Sequence, residues 1–168
     1  AVVEMSDNSF ESCNAFDVVD LSKSQLTSVP YHAFFRCTAL KRVVLPPNMT
    51  SISSVSPFAE CPIEKVEFTG TNGPIIIGQS FANFQSITDV VFADACQVTL
   101  NGTFANCVNL KTITLPTNNV VLIGTFSGCS SLEKVDNFNS VVEMEEGAFK
   151  NCIALISLGQ APQIKAVG

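Results

Sequence analysis

The sequence predicts an α/β solenoid of about seven repeats, each 22–24 residues long. A phenylalanine returns at a nearly fixed interval, and each one begins a similar spacing of apolar residues. Four repeats match it at every offset and three have defects: the repeat of Phe58 is one residue short after its cysteine, so its later positions come one residue earlier, and the repeats of Phe126 and Phe149 end on polar residues. The intervals are 24, 24, 23, 23, 22 and 23 residues. The phenylalanines that define them are Phe10, Phe34, Phe58, Phe81, Phe104, Phe126 and Phe149. Self-similarity at a period of this size indicates a repeat architecture.

The spacing within one repeat predicts its local structure. Counting from Phe104, apolar residues lie at +3 (Cys107), +6 (Leu110), +9 (Ile113) and +11 (Leu115). Steps of three put side chains on one side of a helical or 3₁₀ turn, whereas a step of two is the period of a strand. Each repeat is therefore expected to form one turn of helix followed by a short strand.

Each repeat also carries a second apolar site about five residues before its phenylalanine. Met5 and Met144 occupy it within identical Val-Val-Glu-Met segments, and Val29 has the same offset. Other repeats place an apolar residue one or two positions away, at Ile52, Ile77, Leu100 and Ile123. We expect this site to line the core on the return side of the coil. Turn-forming residues such as those of segment 70–74 separate the two sites.

Composition indicates an ordered globular chain and excludes two classes of partner. Hydrophobic residues make up 46% and charged residues only 14% of the 168 positions, which argues against disorder. A net charge of −6 disfavours nucleic acid and anionic lipid. No apolar run approaches the roughly 20 residues of a membrane span.

Six of the seven cysteines share the +3 position, which predicts a ladder of reduced, packed thiols rather than a disulfide framework. Phe84 occupies this position in the remaining repeat. Cys96 lies outside the pattern and is the candidate for an exposed or partnered thiol.

We expect residues 1–168 to form one repeat domain, as a fragment of a longer array. The period places Val167 where Met144 and Val29 stand, so the sequence stops within a repeat. Solenoid ends expose apolar interior unless a polar cap covers them. The uncapped ends therefore also predict possible self-association.

The repeat small-Phe-x-x-Cys-x-x-Leu-x-x-Ile-x-Leu-Pro, found in segments 103–116 and 33–46 and in part in 148–158, closely resembles the BspA-like leucine-rich repeats. The resemblance covers essentially the whole chain. It implies a leucine-rich repeat right-handed superhelix with a parallel β-sheet on its concave face. It also implies surface or secreted proteins of bacteria and parasitic protists that adhere to host or matrix proteins.

No catalytic, cofactor or metal site is expected. His32 is the single histidine and falls in a variable segment before Phe34, as expected of an exposed loop residue. Gly70, Gly73 and Gly78 do not form a phosphate-binding motif and are interpreted as loop glycines. The acidic group Glu143, Glu145 and Glu146 could touch calcium, but a solvated face is preferred.

Binding is the function that remains, and solenoids bind mainly through their extended concave surface. With +9 and +11 inside, strand alternation turns +8 and +10 outward. The candidate protein-binding face is Arg42, Val44, Lys65, Glu67, Asp89, Val91, Thr112, Thr114, Lys134 and Asp136. The same columns could equally be only a solvated sheet face. Phe138 and the Tyr31-His32 loop are the next candidates.

The sequence leaves three functions open. The first is a non-catalytic recognition module at the cell surface or secreted, with a host or matrix protein as its ligand. The second is an intracellular scaffold in the cytoplasm, which reduced cysteines favour. The third is an accessory recognition domain of a larger protein. Glycosylation at the Asn48 and Asn101 sequons is left open.

Overall fold

The computed structural model describes residues 2–52, 56–70 and 74–159. Gly73 and Val167, which the sequence analysis uses, lie outside these ranges. The described chain forms eleven short strands and one 3₁₀ helix, Phe138–Ser140. The strands are β1 (Val18–Asp20), β2 (Arg42–Val44), β3 (Ser51–Ile52), β4 (Lys65–Phe68), β5 (Pro74–Ile77), β6 (Asp89–Phe92), β7 (Gln97–Asn101), β8 (Thr112–Thr114), β9 (Val120–Ile123), β10 (Lys134–Asp136) and β11 (Val141–Met144).

These strands build two parallel walls of a β-solenoid of about five turns. The first sheet contains β1, β2, β4 and β6, and β8 packs beside β6 and pairs with β10. The second sheet contains β3, β5, β7, β9 and β11 in spatial order. Every ladder between the named strands is parallel. Each coil of the central part of the chain therefore crosses one wall and then the other.

The first wall follows the predicted alternation. On β4, Val66 and Phe68 are buried, while Lys65 and Glu67 between them are partly exposed. Val43 pairs with Val66, and Val66 with Val90, so the +9 residues stack coil upon coil. Period-two apolar residues thus create the sheet by facing one shared interior.

The segment around each phenylalanine is a tight turn, so the helical half of the predicted α/β unit does not form. The residue two positions after each phenylalanine has a left-handed backbone, with φ between 58° and 76°. These residues are Ser12, Arg36, Glu60, Asn83, Asn106, Gly128 and Asn151. Since a right-handed helix cannot continue through that conformation, the turn closes after one i→i+3 hydrogen bond. The Cys107 amide, for example, donates to the Phe104 carbonyl over 3.1 Å.

The phenylalanines form one continuous stack through the solenoid. Consecutive rings are nearly parallel, with centroids 5.2 Å apart for Phe10 and Phe34 and 6.1 Å apart for Phe104 and Phe126. The pairs between them and the final pair Phe126–Phe149 are stacked in the same way. Phe34 to Phe126 are buried, whereas Phe10 is 40% exposed. The predicted aromatic interior is confirmed for these inner coils.

The cysteines form a hydrogen-bonded ladder beside this stack. From Cys37 onward, each thiol at the +3 position donates to the carbonyl of the phenylalanine one coil earlier, for example Cys61 to Phe34 at 2.9 Å and Cys129 to Phe104 at 3.1 Å. Cys37, Cys107 and Cys152 make the same contact. All seven cysteines are free thiols. The carbonyls of Phe34, Phe104 and Phe126 are thereby bonded both along the coil and between coils.

Two sequence-based assignments in the core are wrong. Cys96 is fully buried rather than exposed. β9 buries Val120 and Leu122 and leaves Ile123 only partly buried, and Leu122 pairs with Leu100 and Met144 in the neighbouring strands. The second site of each central repeat is also a full strand, which the sequence analysis had treated only as an apolar position.

Truncating the central ring tests the stack. Phe104 is fully buried between Phe81 and Phe126. We expect Phe104→Ala to lower the free energy of unfolding by about 3–5 kcal/mol. Lys111→Ala, on the exposed side of the same coil, is the control and should change it by less than about 0.5 kcal/mol. Urea unfolding followed by circular dichroism measures both, and near-equal effects would contradict the register.

The thiol ladder predicts sensitivity to alkali. Burial raises the pKa of Cys61 and Cys129 to about 12 and that of Cys96 to about 11. Unfolded thiols ionise near a pKa of about 8.5, so the stability they contribute is complete below that pH and is lost as pH rises toward their folded values. Each buried thiol should cost up to about 1.4 kcal/mol per pH unit above the unfolded pKa.

Urea unfolding between pH 8 and pH 10 should therefore show a falling free energy of unfolding. Cys96→Ala should reduce the slope by one titrating group. A stability independent of pH over this range, or rapid reaction of the native thiols with a thiol reagent, would show that the ladder is not buried as described.

Candidate interaction surface

The outward strand positions of the first sheet and of the adjoining β8–β10 pair, which together we call the first-sheet face, include all ten predicted binding residues. Arg42, Lys65 and Asp89 lie in one cross-strand row, because Arg42 pairs with Lys65 and Lys65 with Asp89. Val44, Glu67 and Val91 form the neighbouring row. On the adjoining pair of strands, Thr112 stands beside Lys134 and Thr114 beside Asp136. The structure thus brings the predicted residues together along one wall.

Four of these side chains form a continuous ion-pair network. Arg42 Nε lies 2.7 Å from Glu67 Oε1, Lys65 Nζ lies 3.6 Å from the same oxygen, and Lys65 Nζ lies 2.9 Å from Asp89 Oδ2. Two cations and two carboxylates therefore neutralise one another across β2, β4 and β6. The network presents fixed charges with no net charge.

The ion pairs shift the pKa values of Arg42, Lys65 and Glu67. The hydrogen bond from Arg42 holds the pKa of Glu67 below its ordinary value. The same bond raises the pKa of Arg42. The pKa of Lys65 is raised, chiefly by its hydrogen bond to Asp89. Arg42, Lys65 and Glu67 are therefore each held in the charged form.

The remainder of the face is uncharged at its centre and charged at its far edge. Val91 is 40% exposed, and Thr112 and Thr114 beyond it are also exposed. Lys134 Nζ pairs with Asp136 Oδ1 at 2.8 Å on β10. The prediction that Val44 contributes to the face is corrected here: it stands at an outward strand position, but only 4% of it is exposed. It therefore offers almost no contact area.

The two secondary candidates have different outcomes. Phe138 is only 4% exposed and packs edge-on against Phe149, with ring centroids 5.8 Å apart, so it is a core residue. Tyr31 is 43% exposed and stacks on His32 at 3.8 Å. His32 in turn stacks on Phe35 at 4.3 Å. His32 is thus half-buried inside an aromatic stack on the turn surface rather than free in a loop.

Both ends of the described solenoid expose apolar surface, as the sequence predicts. An apolar cavity of about 510 Å³ is lined by residues that include Phe10, Phe16 and Phe34. In the last described coil, Ile153 and Ile156 are 85% and 86% exposed. Self-association through these ends stays a prediction.

Other candidate chemistry is limited in the part of the chain that the structure describes. No group of three His, Cys, Asp or Glu side chains is placed to hold a metal ion in residues 2–52, 56–70 and 74–159. The same ranges contain no helix long and apolar enough to cross a membrane. Thr103 of the second sequon is fully buried, and its hydroxyl donates to the Ile77 carbonyl over 2.8 Å.

The ion-pair network is the feature that sequence reasoning missed. The sequence does contain a sign of this network, because Arg42 at +8 of one repeat and Glu67 at the +10 position of the next have opposite charges. Recognising the pair required knowing that these two positions meet diagonally when the coils stack.

The family can now be assigned. The model for the BspA type leucine-rich repeat region matches residues 1–75 and 56–168, with 6 copies. The chain belongs to the BspA-type leucine-rich repeat family. Two overlapping matches cover the whole sequence, which confirms the family expected from the repeat.

Solved structures support the family and the fold. A leucine-rich repeat protein from Bacteroides ovatus is 27% identical, with a TM-score of 0.61, over 82% of this chain and 36% of that protein. The Treponema pallidum leucine-rich repeat protein is 24% identical, with a TM-score of 0.68, over 92% of this chain and 72% of the other. The chain thus spans about a third of the Bacteroides protein. No curated protein matches the chain.

BspA-type solenoids are leucine-rich repeat proteins, a fold generally used for protein interaction and typically non-catalytic. The family therefore directs attention to surfaces rather than to a reaction centre.

Acid titration tests the ion-pair network. Because the pKa of Glu67 is lowered, its stabilising contribution is complete above the unfolded value of about 4.3 and is lost as pH falls through the folded value. We expect Glu67→Gln to lower the free energy of unfolding at pH 7 by about 0.5–1 kcal/mol and to flatten its fall between pH 6 and pH 3.

Glu133→Gln is the matched control, since Glu133 is exposed and makes no ion pair within the described ranges. Chemical unfolding at several pH values compares the two variants. Identical losses in both, or no loss at Glu67, would contradict a network that stabilises the wall.

Proposed function

We propose that this chain is a non-catalytic recognition module that binds a protein ligand through the first-sheet face, at the cell surface or after secretion. The observation that carries the proposal is the arrangement of the face: an uncharged centre lies between the Arg42–Glu67–Lys65–Asp89 network and the Lys134–Asp136 pair. Seven repeats in a right-handed superhelix, with this face concave, form the geometric part of the proposal.

The arrangement suits protein recognition for a physical reason. Interfaces bind through a centre from which water is excluded, surrounded by a polar rim. Val91, Thr112 and Thr114 supply such a centre, and the flanking ion pairs supply the rim. Charges at a rim mainly set specificity and association rate. Since the face has no exposed tryptophan or tyrosine and its arginine is already paired, its affinity is expected to be modest.

The family supports the proposed location, because BspA-type proteins are usually surface or secreted bacterial proteins. An intracellular scaffold is the second candidate, and the seven free thiols favour it, since thiols persist best in reducing compartments. A secretory signal in the complete gene product would favour the first location. An adjoining catalytic domain there would instead favour an accessory recognition role.

Charge reversal tests the face. The chain would be passed over immobilised fibronectin, laminin and collagen, and binding compared with that of the triple variant Arg42→Glu, Lys65→Glu, Lys134→Glu. Reversal breaks every ion pair of the face and places like charges together, so we expect binding to at least one matrix protein to weaken tenfold or more.

The control triple variant is Lys23→Glu, Arg36→Glu, Lys150→Glu, which changes the net charge equally at exposed positions off the face. It should bind within about twofold of the unmodified chain. If the face variant binds as tightly as the unmodified chain, the first-sheet face is not the binding surface. If both variants weaken binding equally, the effect comes from net charge and not from the face. Binding to none of the matrix proteins would count against adhesion to matrix.

A further inference from the structure

One cluster of side chains outside the first-sheet face contains the only tyrosine, the only histidine and one of the two arginines of the chain. Tyr31 stacks on His32 with ring centroids 3.8 Å apart, and His32 stacks on Phe35 at 4.3 Å. The guanidinium carbon of Arg36 lies over the Phe35 ring, 4.8 Å from its centroid. These four side chains form one column, which we call the aromatic stack.

The two ends of the aromatic stack differ. At one end a cation already lies over the Phe35 ring, and Glu60 Oε2 holds it by accepting from Arg36 Nε over 2.9 Å. At the other end His32 covers one face of Tyr31, so the 43% of Tyr31 that is exposed comes from the opposite face and the hydroxyl edge. The face of an aromatic ring attracts cations because its quadrupole is negative there. The stack therefore has one cation–π position filled from within the chain and one that faces solvent.

The backbone holds the aromatic stack in place. Two of its four residues have a left-handed backbone, with φ of 50° and 58°. The Asn8 amide donates to the Tyr31 carbonyl over 3.2 Å, and the Ser12 amide donates to the Phe35 carbonyl over 2.7 Å. The turn that carries the stack is thereby bonded to the preceding coil. Ring side chains that are already fixed lose little conformational freedom on binding, so they suit a recognition contact.

The surroundings of the aromatic stack are acidic. The same two hydrogen bonds align the first two coils, so Asp7 stands at the position beside Tyr31, and its side chain is exposed. Near the other end, the hydrogen bond to Glu60 raises the pKa of Arg36, and the charge of Glu11 adds to that rise. Three carboxylates thus surround one guanidinium among the described neighbours of the stack. This local excess of negative charge favours a cation over an anion at the exposed ring.

We propose that the exposed face of Tyr31 binds the guanidinium of an arginine side chain from a partner protein. A guanidinium is planar, always charged and more weakly hydrated than an ammonium, so it stacks well on an aromatic ring. The contact repeats, at the exposed end of the stack, the one that Arg36 makes with Phe35. Asp7 offers the bound guanidinium a carboxylate acceptor. The site lies on the turn before β2, and the proposal does not depend on ligand binding by the first-sheet face.

Tyrosine fluorescence tests the contact directly, because Tyr31 is the only tyrosine and the chain has no tryptophan. The full chain would be titrated with the peptide acetyl-Gly-Arg-Gly-Arg-Gly-amide. The control peptide carries citrulline in place of arginine, which keeps the planar shape and removes the charge. We expect a saturable change in fluorescence over about 0.1–10 mM of the arginine peptide, and binding of the citrulline peptide weaker by about tenfold.

Variants separate the ring face from charge and hydroxyl, with binding followed by the anisotropy of a dye-labelled arginine peptide. Tyr31→Leu should weaken binding about fivefold, whereas Tyr31→Phe, which keeps the ring, should stay within about twofold. Asp7→Asn should weaken binding about threefold. Its matched control is Glu133→Gln, which removes an equal charge from an exposed position on another surface and should leave binding within about 1.5-fold.

Several outcomes would overturn the proposal. They are an unchanged tyrosine fluorescence, equal binding of the arginine and citrulline peptides, and equal losses in Tyr31→Leu and Tyr31→Phe. A saturable change with methyl β-glucoside and none with the arginine peptide would instead make the ring a sugar-binding face. Thermal unfolding checks that each variant is folded. If Tyr31→Leu does not fold, the titrations of the unmodified chain and of Asp7→Asn decide the result.

Discussion

The structure depends on the need of each phenylalanine to be covered by the ring of the next coil. Phe104 is fully buried only because Phe81 and Phe126 stack on its two sides. One coil cannot form this core alone, so the burial that stabilises the fold arises between repeats. Hydrogen bonding follows the same rule, since the Phe104 carbonyl accepts from Cys107 of its own coil and from Cys129 of the next. Ring stacking and carbonyl satisfaction together fix the register of the coils.

That register explains why the outer walls have different chemistry. Once the coils are stacked in register, equivalent outward positions become neighbours, so charges at those positions must be compensated or absent. On the first wall Arg42 and Lys65 stand side by side on adjacent strands, and Glu67 and Asp89 compensate their charges. The second wall largely omits them. Like charges along either wall would repel at the spacing of adjacent strands.

The sequence was sufficient for the features that repeat in every coil. Local spacing can be read directly from the sequence. It determines the period, the buried phenylalanines and the inward +9 residues such as Val66 and Ile113. The parallel first sheet was expected from the resemblance to the BspA-like leucine-rich repeats and not from the spacing itself. These features are predictable because each repeat specifies them independently.

The features that were missed depend on contacts between coils or on backbone conformation. A helical turn was predicted because apolar residues three positions apart lie on one side of such a turn. The left-handed backbone of Asn106, two residues after Phe104, stops the helix. Leu122 rather than Ile123 faces inward because Leu100 and Met144 set the alignment of β9. The burial of Val44 and Cys96 similarly reflects their neighbours in adjacent coils.

The two walls also differ in continuity. The second sheet is hydrogen-bonded from β3 to β11, whereas no ladder joins β6 to β8 in the described part of the first sheet. The two coils are joined here by other contacts: the Thr117 amide donates to the Asp94 carbonyl over 3.2 Å, and the rings of Phe81 and Phe104 stack. The first wall thus passes from the Arg42–Glu67–Lys65–Asp89 network to the Lys134–Asp136 pair across a step held by core packing and single hydrogen bonds, whereas the opposite wall is one unbroken ladder.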